Sequence, residues 1–408
     1  MDRRKLLIPV ALAAACAGCH GGPTPEFPDW VAPNVQASNQ GDERGGSFSL
    51  YARAAIEAEK DGASYLNMVS FYPFQRRNAM KATDGALKML IEAARGKCDF
   101  EFIPGDPFKA PPHQRGWRLL GRDLVWKIGE VVRTGNFDEA VANANVATKF
   151  GFDISGGSAT DASLGLAIAN EARQAIAPAL DHMDAGQLNK LSAGVSEALQ
   201  EKPALKDTIE HEHQNMLEGV QAVQDAYRDQ RFDELGQSLG PDSRSAIEYL
   251  QDLKRKDYSR RPKYFQDFAS EANVQVAWAE KAGDMPLSSR VANPPPKLSG
   301  ERPWKKFSKE FFSSVQPLLV MNDATLARTR LLILEASILA QVKANGAAPK
   351  DLSSFPENIK TDPYSGKPFI YGADGADFHV YSVGLDLRDD VGQTDETYSQ
   401  PDLKLERG

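Results

Sequence analysis

Along the middle of the chain, apolar residues recur at intervals of three and four, which places them on one face of a 3.6-residue helix. Trp117, Leu120, Leu124, Ile128 and Val131 form one such stripe, and Gly135-Asn136 brings it to an end. Phe137, Ala140, Val141 and Ala144 open the next helix. Asp161 to Leu180 carries another helical pattern. Asp184 stands at an N-cap position ahead of Leu188, Leu191, Val195 and Leu199, and Pro203 takes a first-turn position before Leu205. Thr325 to Lys343 is more strongly apolar, with Leu331, Leu334, Ile338 and Val342 on one stripe, Leu332 and Leu339 widening it, and Asn345-Gly346 as its stop. The pattern then shortens. Pro368 to Tyr371 and Phe378 to Ser382, rich in aromatic and β-branched residues, flank Gly372-Ala373-Asp374-Gly375 and predict a β-hairpin with Phe378 and Val380 on one face.

The expected fold is therefore mainly α: an antiparallel helical-hairpin array, α-solenoid-like, over 47–292, then a small C-terminal α+β module with a β-hairpin over 325–408. Asn293-Pro294-Pro295-Pro296 to Arg302-Pro303 predicts a semi-rigid connector over 293–324. Ahead of the array, Pro23, Pro25, Pro28 and Pro33 lie among Gly, Asn, Gln and Ser, so 19–46 reads as a flexible tether. Residues 1–18 read as a secretory signal. Arg3, Arg4 and Lys5 form a basic start, Leu6 to Ala15 an apolar run, and small residues precede Cys19. That run is shorter than the roughly twenty residues a bilayer span needs.

Charge narrows the partners. The chain holds 56 acidic and 48 basic residues for a formal net charge of −8; removing Asp2, Arg3, Arg4 and Lys5 with the signal takes it to −10. This balance argues against nucleic acid as a partner. Cys16 and Cys19 belong to the signal region, so Cys98 is left without an intramolecular disulfide partner.

Several motifs invite chemistry. Glu210-His211-Glu212-His213 resembles a metal or catalytic site but is not His-Glu-x-x-His, since position 215 is Asn. Histidines two apart point to different helix faces, so His213 is expected on the buried stripe with Leu205 and Ile209, and His211 outward. Gly151, Gly156 and Gly157 resemble a phosphate-cradling loop, yet no strand precedes them and Asp153 and Asp161 would repel phosphate; a helix connection is the expectation. Tyr258 to Phe268 mixes Arg260, Arg261 and Lys263 with aromatic residues and is expected to cover the helical core. No Gly-x-Ser-x-Gly elbow occurs, and no catalytic activity is expected.

The last feature lies around the hairpin. Asp362-Pro363-Tyr364-Ser365-Gly366 is turn-forming, and Asp386, Asp389 and Asp390 fall within five residues after Tyr381-Ser382-Val383-Gly384. A solvated acidic bend and a cation site both fit this pattern. Asp-Pro-Tyr-Ser-Gly-Lys-Pro, a hairpin, Tyr-Ser-Val-Gly and an acidic loop together resemble the C-terminal region of type II secretion major pseudopilins, over residues 325 to 392 at most. In that family the loop binds calcium, which implies Asp386, Asp389 and Asp390 as ligands, with Ser382 a weaker one; hard cations take about six to eight oxygens. Leu387 and Val391 stand where the family has glycine.

Two further resemblances bear on placement and form. Ala17-Gly18-Cys19 resembles the lipobox of bacterial lipoproteins, with Cys16 where Leu is usual. It implies a diacylated, palmitate-bearing Cys19 at the mature N-terminus, and His20 in place of Asp implies the outer membrane of a diderm cell. Gly135-Asn136-Phe137-Asp138-Glu139-Ala140 resembles the turn into the second helix of a tetratricopeptide hairpin, and the array joined to such a module resembles an uncharacterised group of bacterial envelope proteins. The expected function is a lipid-anchored cell-envelope protein, with the membrane as one partner and a protein or peptide bound on its helical surface. The alternatives are an accessory of a type II secretion or pilus-like system, and an envelope hydrolase using Glu210, Glu212 or His213.

Overall fold

A computed structural model describes residues 46–98, 113–213, 229, 231–234, 274–297, 303–393, 402–405 and 407, with backbone only for 303–314. The expected signal and tether, Cys19 and the stretch 258–268 lie outside the described residues. The protein is mainly helical, with one two-stranded antiparallel sheet near its C-terminus.

Seven helices open the described chain: α1 (Ser47–Asp61), α2 (Pro73–Ala82), α3 (Asp84–Ala93), α4 (His113–Arg133), α5 (Phe137–Ile154), α6 (Ala159–Ile176) and α7 (Ala185–Glu201). Trp117, Leu120, Leu124 and Ile128 are fully buried, as the stripe predicts. Gly135 ends α4 at φ 76°, a conformation that glycine adopts without steric cost. Asn136, Ser158 and Asp184 cap α5, α6 and α7 by accepting N–H bonds three residues on. α4 packs on α5 and α6, and α5 packs on α6 and α7. This is how stacked helical hairpins bury both layers.

The close crossing of α5 and α6 explains Gly151. A Cβ there would lie 2.5 Å from the carbonyl oxygen of Gly165, so the two backbones approach only because neither residue has a side chain. Gly151 is a packing glycine and contributes to no phosphate loop.

The C-terminal half departs from the expected divisions. α8 (Leu287–Ala292) is fastened to the later turn, with Leu287 N–H donating to Pro363 O (3.0 Å) and Ser288 N–H to Tyr364 O (2.8 Å). α9 runs unbroken from Pro303 to Asn345, so the boundary expected at 325 falls inside a helix. Pro317 sits within it and removes one backbone bond. Val315, Leu318 and Leu319 are buried around that proline, and their burial, about 2 kcal/mol each, offsets the loss. α9 packs on α6 and α7, and one cluster of buried apolar residues runs from Phe48 in α1 to Leu339 in α9, Val380 and Leu405.

After α10 (Glu357–Lys360) come β1 (Ile370–Asp374) and β2 (Asp377–Tyr381), paired with Ile370 opposite Tyr381 and Asp374 opposite Asp377. The turn is tighter than the sequence suggests, Gly375-Ala376 with Gly375 at φ 63°, because a two-residue loop with positive φ matches the strand twist. Val380 is buried and Phe378 packs beside it on the same face. Among the described residues, no helix is long and apolar enough to cross a membrane.

Candidate functional site: the carboxylate loop beside the hairpin

The Asp-Pro-Tyr-Ser-Gly turn is locked from within. Asp362 is 1% exposed; its Oδ1 accepts Tyr364 N–H (3.0 Å) and the Ser382 hydroxyl (2.9 Å), and its Oδ2 accepts the Ser365 hydroxyl (3.2 Å). Pro363 fixes one φ, Gly366 takes φ 71°, and Gly366 N–H returns to Asp362 O (2.8 Å). Ser382 is fully buried in this lock, its oxygen also accepting Gly384 N–H (3.2 Å), so the hydroxyl expected to join a cation site is engaged with Asp362.

Two acids of the loop make local bonds of their own. Asp386 Oδ1 accepts Arg388 N–H (3.0 Å), and Asp389 Oδ1 accepts both Val391 N–H (2.9 Å) and the Tyr381 hydroxyl (2.9 Å). Burial and the Asp389 carboxylate push the Tyr381 phenol up to about 12. Leu387 and Val391 stand at φ 62° and 60°, the left-handed region that favours glycine. The backbone therefore bends as glycine would allow while carrying two side chains that resist the bend.

Sequence reasoning missed Asp402. Its Oδ2 accepts N–H bonds from Asp390 (3.1 Å) and Gly392 (2.7 Å), and the residue is 1% exposed. Burial, with Asp389 and Asp390 adding, raises its carboxyl above the usual range. The available signal was the alternation Leu403-Lys404-Leu405, which brings this tail onto the sheet: Leu403 bridges Ser382 (2.9 and 3.0 Å) and Leu405 enters the core. Among the described residues no group of three His, Cys, Asp or Glu side chains is arranged to hold a metal ion. As placed, Asp386, Asp389 and Ser382 each have an oxygen engaged with a partner of its own, and Asp390 meets Asp402 through its backbone N–H.

The two other motifs converge in space, which sequence separation concealed. His211 Nδ1 lies 2.7 Å from Gly156 O, Glu212 Oε2 accepts Ala159 N–H (3.0 Å), and the Thr208 hydroxyl donates to Ser155 O (2.8 Å). Ser158 and Asp161 form the capping box of α6, and Gln114 Nε2 donates to Asp161 Oδ1 (2.5 Å). His213 is buried as its stripe predicts, and burial lowers its imidazole to about 4. The glycine loop and the Glu-His-Glu-His segment thus fasten helices to one another. Also unforeseen is Lys149 with Asp153 (2.5 Å), an i,i+4 pair resembling a surface bridge; it is buried, with the Tyr51 hydroxyl on Asp153 Oδ2 (2.8 Å). Burial pushes Asp153 up to about 6.

Comparison with known proteins finds no matching family model, no significantly similar curated protein and no significantly similar solved structure.

Proposed function

We propose that this is a lipid-anchored scaffold of the cell envelope, acylated on Cys19 and binding a protein or peptide on its helical body without catalysing a reaction. The observation that carries the non-catalytic part is the use made of the chemistry-bearing residues. Glu212, His211, Ser158 and Asp161 bond to backbone and caps where α6 begins, and bound in that way they hold helices together. The reading of Cys19 is supported by the basic start, the short apolar run and the small residues that precede it. With His20 next, the outer membrane of a diderm cell is the destination. Mass spectrometry of the mature N-terminal peptide tests this: a diacylglyceryl-modified Cys19, and release of a Cys19→Ala protein from membranes, are expected. An unmodified cysteine on a protein that still begins at Met1 would remove the anchor. Crosslinking in intact cells then identifies the bound protein.

One observation favours a second reading, as an accessory of a type II secretion or pilus-like system. Leu387 and Val391 hold the backbone angles of glycine at the positions where pseudopilins have it. Calcium binding there would require Asp386, Asp389 and Asp390 to turn inward together. A calcium titration of the full chain, followed by its thermal midpoint, separates the two: an unchanged midpoint removes the second reading's cation.

A further inference from the structure

Between α1 and α2 the chain crosses the outer face of α4 and leaves apolar side chains in water. Val69 is 93% exposed, Tyr72 70% and Phe74 55%, with the Tyr72 and Phe74 rings stacked 6.2 Å apart. Beneath them Phe71 packs on Trp126 of α4 at 4.7 Å and Tyr65 lies 6.4 Å from Phe71.

Arginines border this aromatic ridge. Arg115, Arg118 and Arg122 recur at three and four on α4, so they share one face with Trp126. Arg122 sits 5.7 Å over the Phe71 ring and donates to Met68 O (3.0 Å), Arg115 donates to Asn67 Oδ1 (3.3 Å), and Arg76 of α2 lies 5.8 Å over Trp126. These partners are all neutral. Among the described residues no carboxylate stands within 4.0 Å of the four guanidinium groups. Arg118 and Arg122 feel each other's charge, and Glu171 and the buried Asp123 are the acids felt at Arg122. Four guanidinium groups without an ionic partner on one face of a protein of net charge −8 leave that face open to a negative counterpart from outside.

We propose that this face docks on an anionic phospholipid surface, Val69, Tyr72 and Phe74 entering the interface while Arg76, Arg115, Arg118 and Arg122 meet the phosphates. Aromatic rings settle at the headgroup level, and each nearby arginine adds to the attraction of an anionic leaflet. The face begins at Gly62, immediately after the 15-residue α1, about 22 Å along from Gly46. The residues from Cys19 to Gly46 span at most about 90 Å when extended, so an acylated Cys19 permits the contact. An acyl chain and a basic patch together hold a protein at a bilayer better than either alone. The acyl reading contributes to the choice of a bilayer over a protein, but the following test does not use it.

The full mature chain carrying Cys19→Ser, hence unacylated, is sedimented with vesicles of phosphatidylglycerol and phosphatidylethanolamine in equal parts, and with vesicles of phosphatidylcholine alone. Binding to the first at about 0.05 M salt, lost at about 0.5 M, is expected. Arg115→Glu with Arg118→Glu should weaken it by about thirtyfold per reversal, and Tyr72→Ser with Phe74→Ser by about tenfold or more. All four positions are exposed or face outward, and unchanged helical circular dichroism verifies that the variants are folded. No sedimentation with anionic vesicles, equal sedimentation with phosphatidylcholine, or variants that bind like the parent would each overturn the proposal, whatever the state of Cys19.

Discussion

Two buried carboxylates, Asp123 in the helical array and Asp362 at the hairpin end, are held in opposite ways. Asp123 of α4 lies at zero exposure with one partner, the Thr83 hydroxyl at 2.5 Å from Oδ2, and its Oδ1 has none. Burial pushes it up to about 7. Thr83 has one proton and two acceptors, Asp123 and Ala79 O (3.0 Å); a protonated Asp123 resolves this by donating to Thr83, which donates to Ala79. Asp362, equally buried, has its two oxygens bonded by three donors. The array is held by apolar faces and tolerates a poorly served acid. A two-stranded hairpin is marginal by itself, so the end of the molecule relies on a saturated carboxylate and on the tail. There Arg407 reaches Glu335 of α9 (2.9 Å) and Asp181 (3.3 Å), tying hairpin, long helix and array together.

The largest effect expected from this contrast is the pH dependence of the array. Folded protein holds the Asp123 proton up to pH about 7, whereas the unfolded chain releases it near 3.9. The stability tied to that proton is complete below pH about 4 and lost as the pH rises through 7, about 4 kcal/mol in all. Asp123→Asn should flatten this decline in chemical denaturation run from pH 4 to pH 8; an unchanged slope would break the comparison. Next comes Asp362→Ala, which strands Ser382, Ser365 and the Tyr364 N–H and should cost about 3 kcal/mol. Hydrogen exchange should then show faster opening over 361–384 than over α4 to α6, and equal acceleration everywhere would show that the hairpin end has no separate lock. The smallest is Leu387→Gly, which relieves a left-handed φ and should raise stability by about 1 kcal/mol, read from the urea midpoint. A loss would mean that the Leu387 side chain, packed beside Tyr364 and Val383, outweighs its backbone strain.

Periodicity and capping residues were enough to place α4, α5 and α7, because a 3.6-residue apolar stripe and an Asp or Asn three residues before its partner are local physics. The hairpin was legible for the same reason, its turn misplaced by two residues only because Gly372 and Gly375 offer similar chemistry. Candidate chemistry fared differently. Asp386, Asp389 and Asp390 fall within five residues, yet Asp386 and Asp389 accept from separate donors, and the carboxylate that braces the bend comes from Asp402. His211 and Gly156 lie 55 residues apart and meet at 2.7 Å.

By itself the sequence determined that the middle of the chain coils, where α4, α5 and α7 begin, and that two short strands follow. Side-chain period and capping chemistry act within one or two turns. Only the tertiary structure decided that α9 passes through Pro317, that α8 belongs with the Asp362 turn, and that burial pushes Asp123 up to about 7. Each of those depends on burial against residues far away in the chain, and no local pattern encodes how much water a packed neighbour removes.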